Sequence, residues 1–193
     1  MEQNKNNSIS EEVKRRVNDE EQFNICLTNN YAFLKIFKKE ENVKGFLIDL
    51  LNLKEKQIKK IEIKDPFTSG ENKEEKEGIL DIKLTLNGNK KINIEMQNSN
   101  NRNLPMRMRY YQDVIDLNLL DKGQNYDELK TNLVIFVCTF DPFGLGRHFY
   151  SFENICIEDH DLSLNDGTKK IMLNTKGILD DISPDLKRLL DFI

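Results

Sequence analysis

Two alternating stretches on either side of Asn87-Gly88-Asn89 constrain this chain more than any other feature. In residues 79–86, Leu80, Ile82, Leu84 and Leu86 fall on one side, and Ile79, Asp81, Lys83 and Thr85 on the other. In residues 91–97, Ile92, Ile94 and Met96 oppose Asn93, Glu95 and Gln97. A period of two is the mark of a half-buried strand, and Asn-Gly is hairpin-turn chemistry. Parity then selects the register. A two-residue loop would pair Leu86 with Asn89 and set Ile82 against Asn93, mixing the two faces. A three-residue loop, Asn87 to Asn89, pairs Leu86 with Lys90, so Ile82 meets Ile94, Leu84 meets Ile92 and Asp81 meets Glu95. Only the second keeps the apolar residues together. It also sets two carboxylates roughly 4.5–5.5 Å apart at Cβ, where they repel. A divalent cation between them removes the conflict, and magnesium suits one or two carboxylates plus water and phosphate oxygens. The alternative is that both acids are solvated on the wet face of the hairpin, with Lys83 neutralising one of them.

Length and composition narrow the class. A chain of 193 residues with 38% apolar and 32% charged residues suits one well-cored polar globular domain. No run approaches the ~18 apolar residues of a membrane span. Residues 1–10 are polar and lack the apolar centre of a signal peptide, so a cytoplasmic protein with no membrane partner is expected. Cys26, Cys138 and Cys156 are far apart among apolar residues and suit buried thiols. The net charge of −4 is not that of a wholly basic nucleic-acid binder, but Arg102, Arg107 and Arg109 form a local basic segment without acids. The run Lys54, Lys56, Lys59, Lys60 reads as a solvated face.

Along the chain, residues 1–28 form a polar arm with a helix from Glu11, Ser8 and Glu11 having capping-box spacing. The pattern predicts one long helix over 31–51, its second half bearing Val43, Phe46, Leu47, Leu50 and Leu51 as an apolar stripe. A short strand over 58–64 and a charged loop over 68–77 precede the hairpin. Pro105 stands near the start of a helix running to about Leu120. Residues 131–140 are almost continuously apolar, as in a strand covered on both faces. Weaker strands over 148–152 and 170–173 follow, and Ser183-Pro184 opens a last helix. The expected fold is α/β, a mixed central sheet flanked by helices with β-rich C-terminal additions.

Several chemistries lack their residues. His148 and His160 are the only histidines, and neither has a partner at metal-ligand spacing. There is no Gly-x-Ser-x-Gly elbow, and Gly144-Leu145-Gly146 lacks the Gly-Lys-Ser/Thr of a phosphate loop. His148 reads as structural. A two-carboxylate glycosidase is disfavoured, since no Trp is present to stack on sugars and one small hairpin carries both acids. Carboxylate chemistry remains.

An Asp on one strand and Glu95-x-Gln97 on the next, inside an αβββαβ order, resembles the PD-(D/E)XK nuclease superfamily. Within it the chain looks like the Rpn-type branch of recombination-promoting nucleases and transposase-like proteins. The matching stretches are Leu-Thr-Asn-Asn-Tyr-Ala-Phe from Leu27, Gly-Ile-Leu-Asp-Ile through Asp81, Asn-Ile-Glu-Met-Gln through Gln97, Arg107-x-x-Tyr110-Tyr111 and Phe140-Asp-Pro-Phe-Gly144. Tyr-Ser-Phe-Glu-Asn from Tyr150 and Leu-Asn-Thr-Lys-Gly to Gly177 complete the set. The resemblance implies a restriction-endonuclease-like domain over 29–177 and the beginning of a longer helical region over 178–193. It implies catalytic Asp81, Glu95 and Gln97, with Asp81 and Glu95 holding Mg2+ or Mn2+. Arg107, Arg109 and Tyr111 are then expected on double-stranded DNA, and the resemblance leaves room for a homodimer. The implied function is a metal-dependent DNA endonuclease of recombination or of a mobile element. Four positions depart from the pattern. Gln97 stands where the superfamily usually has Lys, Leu80 where it has Pro, and Asn30 and Leu34 where the branch usually has Asp and Lys. Asn30 and Gln97 keep open a second class, a degenerate nuclease fold that binds DNA or a protein without cutting.

Overall fold

The computed structural model describes residues 30–64 and 82–193. The expected arm over 1–28, the charged loop over 68–77 and Asp81 lie outside the described residues. The order is α1 (Asn30–Phe37), α2 (Glu40–Leu51), β1 (Ile61–Lys64), β2 (Ile82–Leu86), β3 (Lys90–Gln97), α3 (Leu104–Leu117), β4 (Thr131–Cys138), β5 (Phe149–Phe152), β6 (Thr168–Asn174) and α4 (Pro184–Phe192). The strands form one open mixed sheet in the order β1-β2-β3-β4-β6-β5. β1, β2 and β3 are antiparallel neighbours, β3, β4 and β6 run parallel, and β5 closes the far edge antiparallel to β6.

The hairpin has the three-residue register. Ile82 pairs with Ile94, Leu84 with Ile92 and Leu86 with Lys90. Asn87 (φ 53°) and Gly88 (φ 76°) both take the left-handed conformation, the pattern of a type I′ turn, and the Asn89 N–H closes it on the Leu86 carbonyl at 3.3 Å. Asn87 also docks the turn: its Oδ1 accepts the Lys59 N–H at 2.8 Å, and its Nδ2 donates to the Gln57 carbonyl at 2.7 Å.

β4 is central and buried along almost its whole length, because helices cover both faces of the sheet. On one face Ile82, Ile94, Ile135 and Ile171 form a row across four strands, packed under Phe33, Phe37, Val43, Leu47, Leu186 and Leu190 of α1, α2 and α4. On the other, Leu104, Met108 and Tyr111 of α3 pack on Val134, Phe136, Met172 and Tyr150. Gln112 and Asn132 fasten the later turns of α3: Asn132 Nδ2 donates to the Gln112 carbonyl and to Asp116 Oδ1, both at 2.9 Å.

One element differs from expectation. The helix predicted over 31–51 is broken at Lys38-Lys39, with Lys39 in an extended conformation. Asn42 Nδ2 donates to the Ile36 carbonyl at 2.8 Å and so caps the end of α1 from within α2. The break lets both apolar segments lie on the sheet. Among the described residues the other expected elements are present with shifted ends: β4 stops at Cys138 and α3 at Leu117, β6 runs longer than expected, and α4 begins as Ser183 Oγ accepts the Leu186 N–H at 3.2 Å.

Candidate active site

β3 is polar on one side and apolar on the other, yet both sides are buried. Asn93 is 0% exposed, Glu95 2% and Gln97 6%. For these residues the solvent-facing surface expected from alternation is not what forms. α3 spans this face because its apolar stripe seeks Val134, Phe136 and Met172 on the neighbouring strands. In doing so it roofs the polar row of β3.

That row is cross-linked. Asn93 Nδ2 donates to Glu95 Oε1 at 3.1 Å, and Gln97 Nε2 donates to Glu95 Oε2 at 3.3 Å. From α3, Arg107 reaches down to both Glu95 and Gln97. Its Nη1 donates to Gln97 Oε1 at 2.7 Å, and its Nη2 lies 3.3 Å from Glu95 Oε2 and donates to the Tyr111 hydroxyl at 3.0 Å. The guanidinium sits 5.6 Å from the Phe136 ring centroid and 5.7 Å from that of Tyr111, within cation–π range of both. The 3.3 Å ion pair joins an almost fully buried carboxylate to an arginine whose side chain is 32% exposed.

The site residues expected from sequence therefore divide. Glu95, Gln97, Arg107 and Tyr111 come together. Tyr111 is 7% exposed and packs edge-on to Phe136, and burial pushes its hydroxyl above the ordinary value while the Arg107 hydrogen bond pulls it down. Arg109, on the outer side of α3, is exposed and apart from this cluster. Asp81 lies outside the described residues, one position before the register that pairs Ile82 with Ile94. Asn93 is the residue that sequence reasoning passed over. The signal was present, since it shares parity with Glu95 and Gln97.

The donor set can be tested against a hard divalent cation. Asn93 Oδ1 is buried with no hydrogen-bond partner, and Glu95 offers a carboxylate beside it. Both are hard oxygen donors of the kind magnesium and manganese take, so the residues present suit such an ion. Among the described residues no group of three or more His, Cys, Asp or Glu side chains could hold a metal ion. Thiol chemistry is not offered here. Cys138, paired with Gln97 across β3 and β4, has its thiol pushed up to about 12 by burial.

The stretch Phe140-Asp141-Pro142-Phe143-Gly144 has a structural explanation. Asp141 Oδ1 accepts the N–H groups of Phe143 at 3.1 Å and Gly144 at 3.0 Å and the Tyr150 hydroxyl at 3.1 Å, while Oδ2 accepts the Gly146 N–H at 2.7 Å. Burial raises the Asp141 carboxyl, but the donors from Gly146, Phe143, Tyr150 and Gly144 outweigh it and hold it below the usual range. His148 is also structural. It is 1% exposed, with Nδ1 3.1 Å from Asp181, and a Cβ on Gly177 would stand only 2.4 Å from its ring.

A mixed sheet with helices on both faces, and an acid–amide pair on the third strand, define a nuclease-like α/β domain. The chain matches the PD-(D/E)XK nuclease family transposases over residues 27–173 and belongs to that family. No functionally curated protein and no solved structure gives a match. Among the described residues no helix is long and apolar enough to cross a membrane.

Proposed function

We propose that the protein is a metal-dependent DNA endonuclease that hydrolyses phosphodiester bonds in recombination or in a mobile element. The observation that carries this reading is the buried row of Asn93, Glu95 and Gln97, gathered by one arginine under α3 in a member of a nuclease family. Asp81 and Glu95 would hold Mg2+ or Mn2+, the register observed from Ile82 onward supporting Asp81 opposite Glu95. When bound, such an ion lowers the pKa of a coordinated water and polarises a phosphoryl oxygen. Gln97 is the residue that orients the attacking water. An amide can donate and accept a hydrogen bond, but it carries no charge and passes no proton at neutral pH. In the metal-free site Arg107 lies beside this amide, its Nη1 donating to Gln97 Oε1 at 2.7 Å. The partly exposed Arg107 and the exposed Arg109 would meet double-stranded DNA phosphates from α3, where Arg pairs bidentately, while the buried Tyr111 would hold Arg107 from beneath rather than touch DNA itself.

The test is cleavage of supercoiled plasmid with magnesium, with manganese and with chelator. The parent chain should nick or linearise DNA only with metal, and Asp81→Asn and Glu95→Gln should each abolish it. A second reading has its own support. Glu95 is already neutralised within the protein by Arg107, which is how a degenerate fold that binds DNA or a protein without cutting would keep a buried acid. Duplex binding with no cleavage under any of these conditions would establish that reading instead.

A further inference from the structure

Two donors meet Glu95 Oε2, and both would have to leave for a metal ion to bind at that oxygen. Gln97 Nε2 and Arg107 Nη2 each lie 3.3 Å from it, and a carboxylate oxygen presents two lone pairs. A buried carboxylate cannot stand unpaired, and two cations cannot share the same lone pairs. The grip is uneven. Charge-assisted N–H···O bonds are typically about 2.7–2.9 Å long. Arg107 meets that range only at Gln97 Oε1, at 2.7 Å, so it holds the amide closely and the acid loosely. It also has a way out. Its side chain is 32% exposed at the edge of α3, whereas Glu95 is 2% exposed and stays in the sheet.

We propose that Arg107 is the resident counter-cation of Glu95, exchanged for a divalent ion when the site is loaded and turned outward to meet a substrate phosphate. This rests on the metal-site reading above. The exchange keeps the buried carboxylate neutralised at each stage. The released guanidinium remains near its Tyr111 and Phe136 rings, at the mouth of the site, where a phosphate can pair with it. By linkage, a phosphate that draws Arg107 outward strengthens metal binding, and metal that expels Arg107 strengthens phosphate binding. Removal of Arg107 should on this account help the metal, the reverse of what loss of a structural support would do.

The experiment is titration of the full chain with Mn2+, following the free ion by electron paramagnetic resonance, with folding checked by circular dichroism. Arg107→Met removes the competing charge and should tighten Mn2+ binding on the order of tenfold or more. Arg107→Lys keeps a charge but cannot bridge Glu95 and Gln97 together, and should tighten binding by a smaller factor. It also serves as the readout should Arg107→Met not fold. Glu95→Gln should remove the binding. If Mn2+ binds the parent and is lost in Glu95→Gln, yet binds either arginine variant no tighter than the parent, the exchange is wrong and the metal site stands. If neither the parent nor an arginine variant binds Mn2+, the metal reading fails and the exchange fails with it.

Discussion

Asp141 and Glu95 are both acids in stretches that resemble nuclease sequences, and the fold satisfies them by opposite means. Asp141 is bound by its own loop: three backbone N–H groups and one tyrosine hydroxyl converge on it. Those donors are part of the chain's path and cannot leave without unravelling the turn. Glu95 is held by the side chains of Asn93, Gln97 and Arg107. Each of them can rotate, and one enters from another element with a partly exposed charge. An acid satisfied by backbone is building material, whereas one satisfied by movable side chains can trade partners. The comparison separates two motifs that look alike in sequence.

The largest effect that can break this contrast is on stability. Asp141→Ala strands the N–H groups of Phe143, Gly144 and Gly146 and the Tyr150 hydroxyl, and should cost about 3 kcal/mol in urea denaturation. A loss no larger than that of an exposed surface substitution would refute its structural role. The next effect is in the pH dependence. The Asp141 carboxyl is held below its unfolded value, so its contribution is present above that value and lost as pH falls through the folded one. The parent should therefore lose stability below about pH 4, and Asp141→Asn should show a shallower acid limb. Equal acid limbs would remove Asp141 as the cause. The smallest effect concerns the exposed outer side of α3. Arg109→Ala should change stability by no more than about 0.5 kcal/mol. On DNA it should weaken binding evenly across sequences and reduce the salt slope by about one. An unchanged slope would take Arg109 off the DNA path.

The hairpin register was legible because parity leaves one loop length that keeps Ile82, Leu84, Ile92 and Ile94 together, and that register is the one observed. β4 was legible because Leu-Val-Ile-Phe-Val-Cys has no polar side to spare. The burial of Glu95 was not. Alternation reports that two faces differ, not that the polar one is wet. What buries Glu95 is a helix whose apolar stripe is matched to β4 and β6, and that match is tertiary. The break between α1 and α2 was hidden for a similar reason. Lys38-Lys39-Glu40-Glu41 are good helix formers, and only the Asn42 bond to the Ile36 carbonyl shows the turn. Of the candidate site, Glu95, Gln97, Arg107 and Tyr111 were singled out by motif and spacing, but their mutual contacts depend on how α3 crosses β3.

The central claim is that Glu95, with Asp81, is an exchangeable acid pair that takes a divalent cation. Thermal unfolding of the parent and of Asp81→Asn, each with and without manganese, tests it most directly. At a concentration near one hundred times the dissociation constant, binding stabilises the folded state by about 2.7 kcal/mol, roughly 5–10 °C in a chain of this size. The parent should rise by that amount. Asp81→Asn should start slightly higher than the metal-free parent, with one repelling charge removed, and stay nearly unmoved by manganese. A parent that manganese does not shift, with an Asp81→Asn variant less stable than it, would contradict the account and leave these acids as structural residues.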